Sequence, residues 1–184
     1  DMGLPGIMAR TDYIIDGPKE LFTCLTAEKS MGGEGRPFAA RTGGGGLTRG
    51  FISWGLAEPA GDALLPSTVR LAKTVLLTAI RERMPNAGRS WISLYRSEDN
   101  GKNWKQLPDL ADTGVGTPAA LVRLHDGRVV AVYGYRRSPF SILAKISNDQ
   151  GDSWTPPITL RDDGNDGDIG YPRVVLRSDG KLVI

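Results

Sequence analysis

The sequence predicts an all-β protein: a β-propeller of four-stranded antiparallel blades, of the six-bladed type, with about three and a half blades in this chain. Three observations carry that prediction. A hairpin of apolar strand, tight turn and apolar strand recurs with its turn at Asp16, Lys73, Asp126 and Asp179, in steps of 57, 53 and 53. A second string, SxDxGxxW, stands at 97–104 as SEDNGKNW and at 147–154 as SNDQGDSW, and TGGGGLTR at 42–49 is a worn copy; the steps of 55 and 50 match the hairpin period. The segments between these marks are β-branched and aromatic, as strands require. Four strands in a repeat of roughly fifty residues are the mark of a propeller blade.

Each period reads as strand A, DG turn, strand B, loop, strand C, SxDxGxxW turn, strand D. The first hairpin is RTDYIIDGPKELFTCLTAEK. In the second, STVRLAKTVLLTAIRER, the DG has become Lys73-Thr74. The third is ALVRLHDGRVVAVYGYRR and the fourth RVVLRSDGKLVI. WISLYRS supplies a C strand and KQL a D strand. The blades are placed at about 7–54, 67–107 and 118–160, with the first hairpin of a fourth at 171–184. Propellers close by joining the last blade to the first, and three and a half blades leave two raw edges. The expectation is that a missing C-terminal half, or self-association with a second copy, closes the ring.

The SxDxGxxW spacing suits a tight turn. Ser and Asp bond nearby amides, Gly101 and Gly151 take positive φ, and Trp104 and Trp154 fold back onto their own blade. In an antiparallel blade the A-to-B and C-to-D turns share one face, and the B-to-C and D-to-A loops share the other. The repeated Asp99 and Asp149 therefore read as turn residues. His125 abuts a DG turn and falls on their face.

Composition narrows the function classes. With 23 Lys and Arg against 21 Asp and Glu, the chain lacks the basic field that nucleic acid binding uses. No apolar run reaches the length of a membrane span. Cys24, the one cysteine, makes neither an internal disulfide nor a cysteine metal site and reads as a small buried residue. The acidic run DDGNDGD departs from the EF-hand pattern, with Gly164 at its third position and Arg173 at its twelfth, so neither a metal nor any other cofactor is expected.

The loop face collects different chemistry. B-strand ends bring Glu28 and Lys29, then Arg81, Glu82 and Arg83, then Tyr135, Arg136 and Arg137. Arg10 and Arg173 each stand six residues before a DG turn, which gives them the same place in different blades. Asp112 and the run Asp162 to Asp168 join from the D-to-A loops. Guanidiniums converging on an axial mouth suit a carboxylate-bearing sugar, because each binds a carboxylate bidentately and stays charged. Trp91, at the start of a C strand, is either a packing residue or a sugar platform.

The SxDxGxxW copies resemble the Asp-box, or BNR repeat, of the sialidase superfamily. RPFAARTGGGG, STVRLAKTVLLTAIRER, YGYRR and GYPRVVLRSDGKLV are similar to segments of bacterial exo-alpha-sialidase-like propellers, and together they span nearly the whole chain. The resemblance implies an acidic-glycan substrate, a secreted or periplasmic setting, arginines on the sugar carboxylate, a tyrosine nucleophile assisted by a glutamate, and an aspartic acid as acid/base. GYPR matches Arg173 to an arginine of that set, and TAIRER matches Glu82 and Arg83. No local motif marks the tyrosine or the aspartate; Tyr171, Tyr135 and Asp168 lie on the right face. The expected catalytic set is Asp168, Tyr171 and Glu82, with Arg10, Arg83, Arg136, Arg173 and Tyr135 binding substrate. A non-catalytic carbohydrate-binding or scaffolding propeller and a uronate-directed polysaccharide lyase remain alternatives.

Overall fold

The computed structural model describes residues 2–8, 12–84, 86 and 88–184. Three four-stranded antiparallel sheets follow one another, each in simple up-and-down order, and a two-stranded hairpin ends the series. The first sheet holds β1 (Ile14–Gly17), β2 (Glu20–Glu28), β3 (Glu34–Gly43) and β4 (Thr48–Trp54). The second holds β5 (Asp62–Arg70), β6 (Leu76–Met84), β7 (Arg89–Ser97) and β8 (Lys105–Asp112). The third holds β9 (Ala119–Arg123), β10 (Val129–Tyr135), β11 (Ser141–Ser147) and β12 (Ile158–Arg161). β13 (Val175–Leu176) and β14 (Leu182–Val183) form the hairpin. The first strands β1, β5, β9 and β13 adjoin in sequence and line the axis. The chain is thus three propeller blades and the innermost hairpin of a fourth. No helix among the described residues is long and apolar enough to cross a membrane.

Each middle blade is apolar on both faces because each is packed on both. In β10, Val129, Ala131 and Tyr133 join Leu77, Ala79, Ile92 and Leu94 of the second blade. The alternate residues Val130 and Val132 meet Val174 and Leu182 of the hairpin. That is why VVAVYGY reads as a continuous apolar run, where a half-exposed strand would alternate. Cys24 is buried at the first seam beside Phe22, Ala39 and Leu76, and burial pushes its thiol up to about 12.

The SxDxGxxW turns fasten the seams. Ser97 Oγ accepts from the Gly101 amide at 2.8 Å, and Asp99 accepts from the amides of Lys102 and Asn103 and from the Asn103 side chain. Those donors, Asn103 foremost, hold the Asp99 carboxyl at about 2. Ser147 and Asp149 repeat the arrangement with Gly151 and Ser153, and Asp149 too is held low, chiefly by the Ser153 hydroxyl and amide. Both carboxylates are spent on their turns.

The tryptophans do not fold back onto their own blade alone. Trp104 Nε1 donates to Gly101 O at 3.1 Å and to Ser53 Oγ of β4 at 3.2 Å, and its ring packs beside Phe22 and Cys24 across the seam. The box glycine has to lie close to the preceding blade, and that approach draws the ring across. A Cβ on Gly101 would stand 2.9 Å from the Phe22 ring, and one on Gly151 2.9 Å from the Leu77 methyls.

Charged pairs close the same seams on the turn face. Arg70 of β5 donates from Nε and Nη2 to the two oxygens of Asp16, each at 2.9 Å, and Arg41 joins Asp16 at 3.1 Å. Arg70 also reaches Asn100 Oδ1 at 2.7 Å, while the Asn100 amide donates to Thr74 O at 2.8 Å. The Lys73-Thr74 turn, which lacks DG, is therefore braced by the SxDxGxxW turn of its own blade. Arg96 ties the second blade to Asp152 of the third at 2.9 Å.

Gly101→Ala places a methyl against a fully buried ring at a residue with φ of +84°. It is expected to cost about 2–4 kcal/mol of unfolding free energy, read as a lower denaturant midpoint with an unchanged slope. A loss below about 0.5 kcal/mol would show that the seam is not tight there.

Candidate functional site

The register of the first hairpins decides what faces the axial mouth. Ile14 pairs with Phe22, Val69 with Leu77, Val122 with Val130 and Val175 with Val183. Phe22 and Leu77 are equivalent, since each receives the box glycine of the next blade. Two residues upstream of the four pairs stand Asp12, Ser67, Ala120 and Arg173. Counting six residues back from each DG turn equates Arg10 with Arg173. The register equates Asp12 with Arg173 instead, because the other three pairs are centred on Lys73, Asp126 and Asp179, whereas Ile14 and Phe22 are centred on Pro18, two residues past Asp16. Arg10 lies outside the described residues.

Asp12 reaches from the first blade onto the second. Its carboxylate accepts from the Thr68 amide and bonds the Ser67 hydroxyl, and the Arg173 charge acts on it. Burial is the largest effect and pushes its carboxyl up to about 6, opposed by those three partners. Ser67 Oγ in turn accepts from the Leu121 amide of the third blade at 3.0 Å. Three consecutive inner strands are stitched through this one segment.

Just before Ser67, β5 bulges. Leu64 pairs with Arg81 and Ser67 with Ala79, so Leu65 and Pro66 together oppose a single residue of β6. Leu65 takes a φ of 58°, a costly conformation for a leucine and one that clusters at functional positions. The bulge pushes Leu65 and Pro66 into the mouth, where they divide two small recesses of about 50 and 40 Å³. The first is walled by Thr26, Glu34 and Arg81, the second by Pro118, Pro172 and Arg173, and Tyr171 borders both.

Tyr171 is the centre of the arginine cluster and is 45% exposed. Arg81 Nη1 donates to its hydroxyl at 3.5 Å, and the Arg136 guanidinium lies 5.4 Å from its ring centroid. Arg136 also contacts Gly170 O at 3.4 Å and Asp168 at 3.5 Å. The Nε atoms of Arg81 and Arg136 are buried donors without an acceptor among the described residues, a state shared by Arg36 and Arg41 of the first blade. Asp168 stands at the edge, with its side chain 90% exposed.

Of the residues expected from the sequence, Tyr171, Arg136, Asp168 and Arg173 come together at this mouth. Tyr135 is half-buried at the end of β10, opposite Ser141, and borders neither recess. Arg83 is taken by Asp62, directly opposite on β5, at 2.7 Å. Glu82 accepts from the Tyr95 hydroxyl at 2.9 Å and lines a separate groove between the first two blades. Arg81, two pairs deeper along β6, takes the axial position that the motif suggested for Arg83. Sequence reasoning missed Asp12; the signal was a carboxylate placed directly before the apolar residues Tyr13, Ile14 and Ile15.

The fold recurs in solved structures. A protein of unknown function from Dyadobacter fermentans matches with a TM-score of 0.74 and 23% identity, over 91% of this chain and 46% of that one. A Penicillium chrysogenum alpha-L-arabinanase, solved with arabinobiose, gives 0.66 and 18%, over 97% and 60%. The NanB sialidase of Streptococcus pneumoniae gives 0.60 and 16%, over 92% and 26%. The chain thus spans about half the length of the first of these, 60% of the second and a quarter of the third. At such identities the likeness is one of fold. A search among curated proteins returned no match. The model of the BNR repeat-like domain matches residues 20–184, and the chain belongs to that family.

Proposed function

We propose that the chain forms part of a carbohydrate-active propeller of the sialidase type, whose axial mouth holds a carboxylate-bearing sugar and breaks its glycosidic bond. The observation that carries this reading is the convergence of Arg81, Arg136 and Arg173 around Tyr171, with two of the guanidiniums keeping a buried donor unpaired. A guanidinium short of acceptors gains from an anionic ligand at its reachable terminal nitrogens, of order 1–3 kcal/mol for a charge-assisted hydrogen bond. The sialidase and the arabinanase among the structural relatives support action on sugars in general; the acidic substrate rests on the arginines.

In this reading the Tyr171 oxygen attacks the anomeric carbon while its phenolic proton passes to the Glu34 carboxylate, which borders the same recess, the bond to the leaving oxygen breaks, and a second carboxylic acid protonates that oxygen. Water then displaces the tyrosine, giving a proton back to the carboxylate that served as the acid, and Glu34 returns the phenolic proton to Tyr171. Asp168 is the acid suggested by the sequence, and Asp12 is the one the structure adds. A group near 6 keeps a usable fraction protonated close to neutral pH, which Asp99, at about 2, does not. Glu82 is left out of this scheme, since its partner is Tyr95.

Two measurements test it. The purified protein is expected to release the fluorophore from a fluorogenic sialoside, and Arg173→Ala to lower kcat/KM by roughly 100-fold or more, as for the loss of a bidentate charged contact. An unchanged rate in the variant would sink the proposal, and ultraviolet absorbance from an unsaturated product would assign a lyase instead.

The second concerns Asp12. Folding raises its pKa from 3.8 to about 6, so folding favours the neutral acid. Its penalty is absent below about pH 4, grows as the pH rises through 4 to 6 and is constant above. Asp12→Asn keeps an acceptor for Thr68 without the charge. Its stability relative to wild type is expected to improve from pH 4 to pH 7, by on the order of 2–3 kcal/mol. A difference that does not vary with pH would show that Asp12 titrates normally.

A further inference from the structure

The groove that holds Glu82 is distinct from the axial mouth and shares none of its lining. It measures about 570 Å³ and lies between the 55–61 segment that leaves the first blade and the β6 and β7 strands of the second. Its outer wall is pinned. Glu58 accepts from the amide and hydroxyl of Ser30 and pairs with Arg36 at 3.3 Å, while Lys29 Nζ donates to Gly61 O at 3.1 Å. Gly61 is required there, since a Cβ would stand 2.0 Å from Arg83 O. The inner wall carries Trp91, Tyr95 and Trp104, with Gln106 beside them.

The charges in the groove are already matched, with one exception. Arg83 is bonded to Asp62 through Nε and Nη2, at 3.2 and 2.7 Å. Arg89 pairs with Asp109 at 3.2 Å and braces a face of Trp91, 4.3 Å from the ring centroid. The exception is Glu82, directly opposite Trp91 on β7. Its Oε1 accepts from Tyr95, which leaves Oε2 to accept from a ligand hydroxyl. The groove thus offers aromatic surface, a carboxamide and one uncompensated carboxylate, with no unpaired cation among the described residues. A carboxylate-bearing sugar would be repelled by Glu82. A neutral sugar meets aromatic carbon on its C–H face and fixed acceptors for its hydroxyls, the composition of a small-ligand site.

We propose that this groove is a second carbohydrate-binding site, specific for a neutral sugar unit, with Glu82 and Gln106 receiving its hydroxyls and Trp91 its apolar face. The site stands whether or not the axial mouth is catalytic. Because Trp91 and Trp104 line the groove, binding is read by intrinsic tryptophan fluorescence during titration with lactose, maltose and cellobiose, and confirmed by saturation-transfer NMR. At least one disaccharide is expected to bind with a Kd of order 1 mM, and free sialic acid to bind no more tightly in this groove. Glu82→Gln, which keeps an acceptor for Tyr95, and Trp91→Ala are each expected to weaken the neutral sugar at least 5-fold. Arg173→Ala is expected to leave that Kd unchanged, with circular dichroism confirming that all variants are folded. Three results would overturn the proposal: no response to any of the three disaccharides up to about 50 mM, undiminished binding in both groove variants, or a loss that follows Arg173→Ala.

Discussion

How closely one blade can approach the next governs this structure. At the first two seams a glycine of an SxDxGxxW turn lies flat on a buried side chain of the blade before it, Gly101 on Phe22 and Gly151 on Leu77, with no room for a Cβ. The Ser and Asp of the turn satisfy the amides that this conformation would otherwise strand, and the indole fills the space beside it. A fixed seam fixes the spacing of the inner strands. Asp12 reaches the Thr68 amide and Ser67 reaches the Leu121 amide only because those strands stand one blade apart. The mouth is thus set by contacts made at the opposite end of the sheets.

The two ends treat charge differently. On the turn face Asp16 is matched by Arg70 and Arg41, Arg96 by Glu98 and Asp152, and Asp99 by a ring of donors. On the loop face guanidiniums gather around a tyrosine, and two of them keep a buried nitrogen without an acceptor. Asp99 and Asp12 display the contrast in one residue type. Donors hold the first at about 2, and burial lifts the second to about 6. Apart from Arg41, whose Nε also stays without an acceptor, the turn face meets its charges internally, and in the proposed reading the loop face is where a ligand has most to add.

The architecture was legible because repetition is a global signal. Steps of 50 to 57 residues survive the loss of Asp and Trp from the first SxDxGxxW copy and of DG from the second hairpin. Assignment of the mouth was less legible, since it depends on register, and register is altered by single residues. A first hairpin centred on Pro18, two residues past its DG turn residue, moved the equivalence with Arg173 from Arg10 to Asp12. A two-residue bulge in β5 brought Leu65 and Pro66 to the axis. Arg83 matched a motif, but whether an aspartate faces it across the ladder is settled by pairing, and Asp62 does. Glu82 was rightly seen near the end of strand B, while its partner Tyr95 sits 13 residues away on β7.

β6 connects the two candidate sites. Successive side chains of a strand point to opposite faces, so Arg81 enters the axial mouth and Glu82 the outer groove. The two environments have opposite needs: the mouth gathers cations around a phenol, and the groove keeps an anion beside aromatic rings. If both charges shared one face they would cancel as an ion pair, as Arg83 and Asp62 do one step further along. Separation by the sheet preserves both. In the proposed reading a single strand end therefore carries two kinds of selectivity, and a shift of one residue in its register would exchange them.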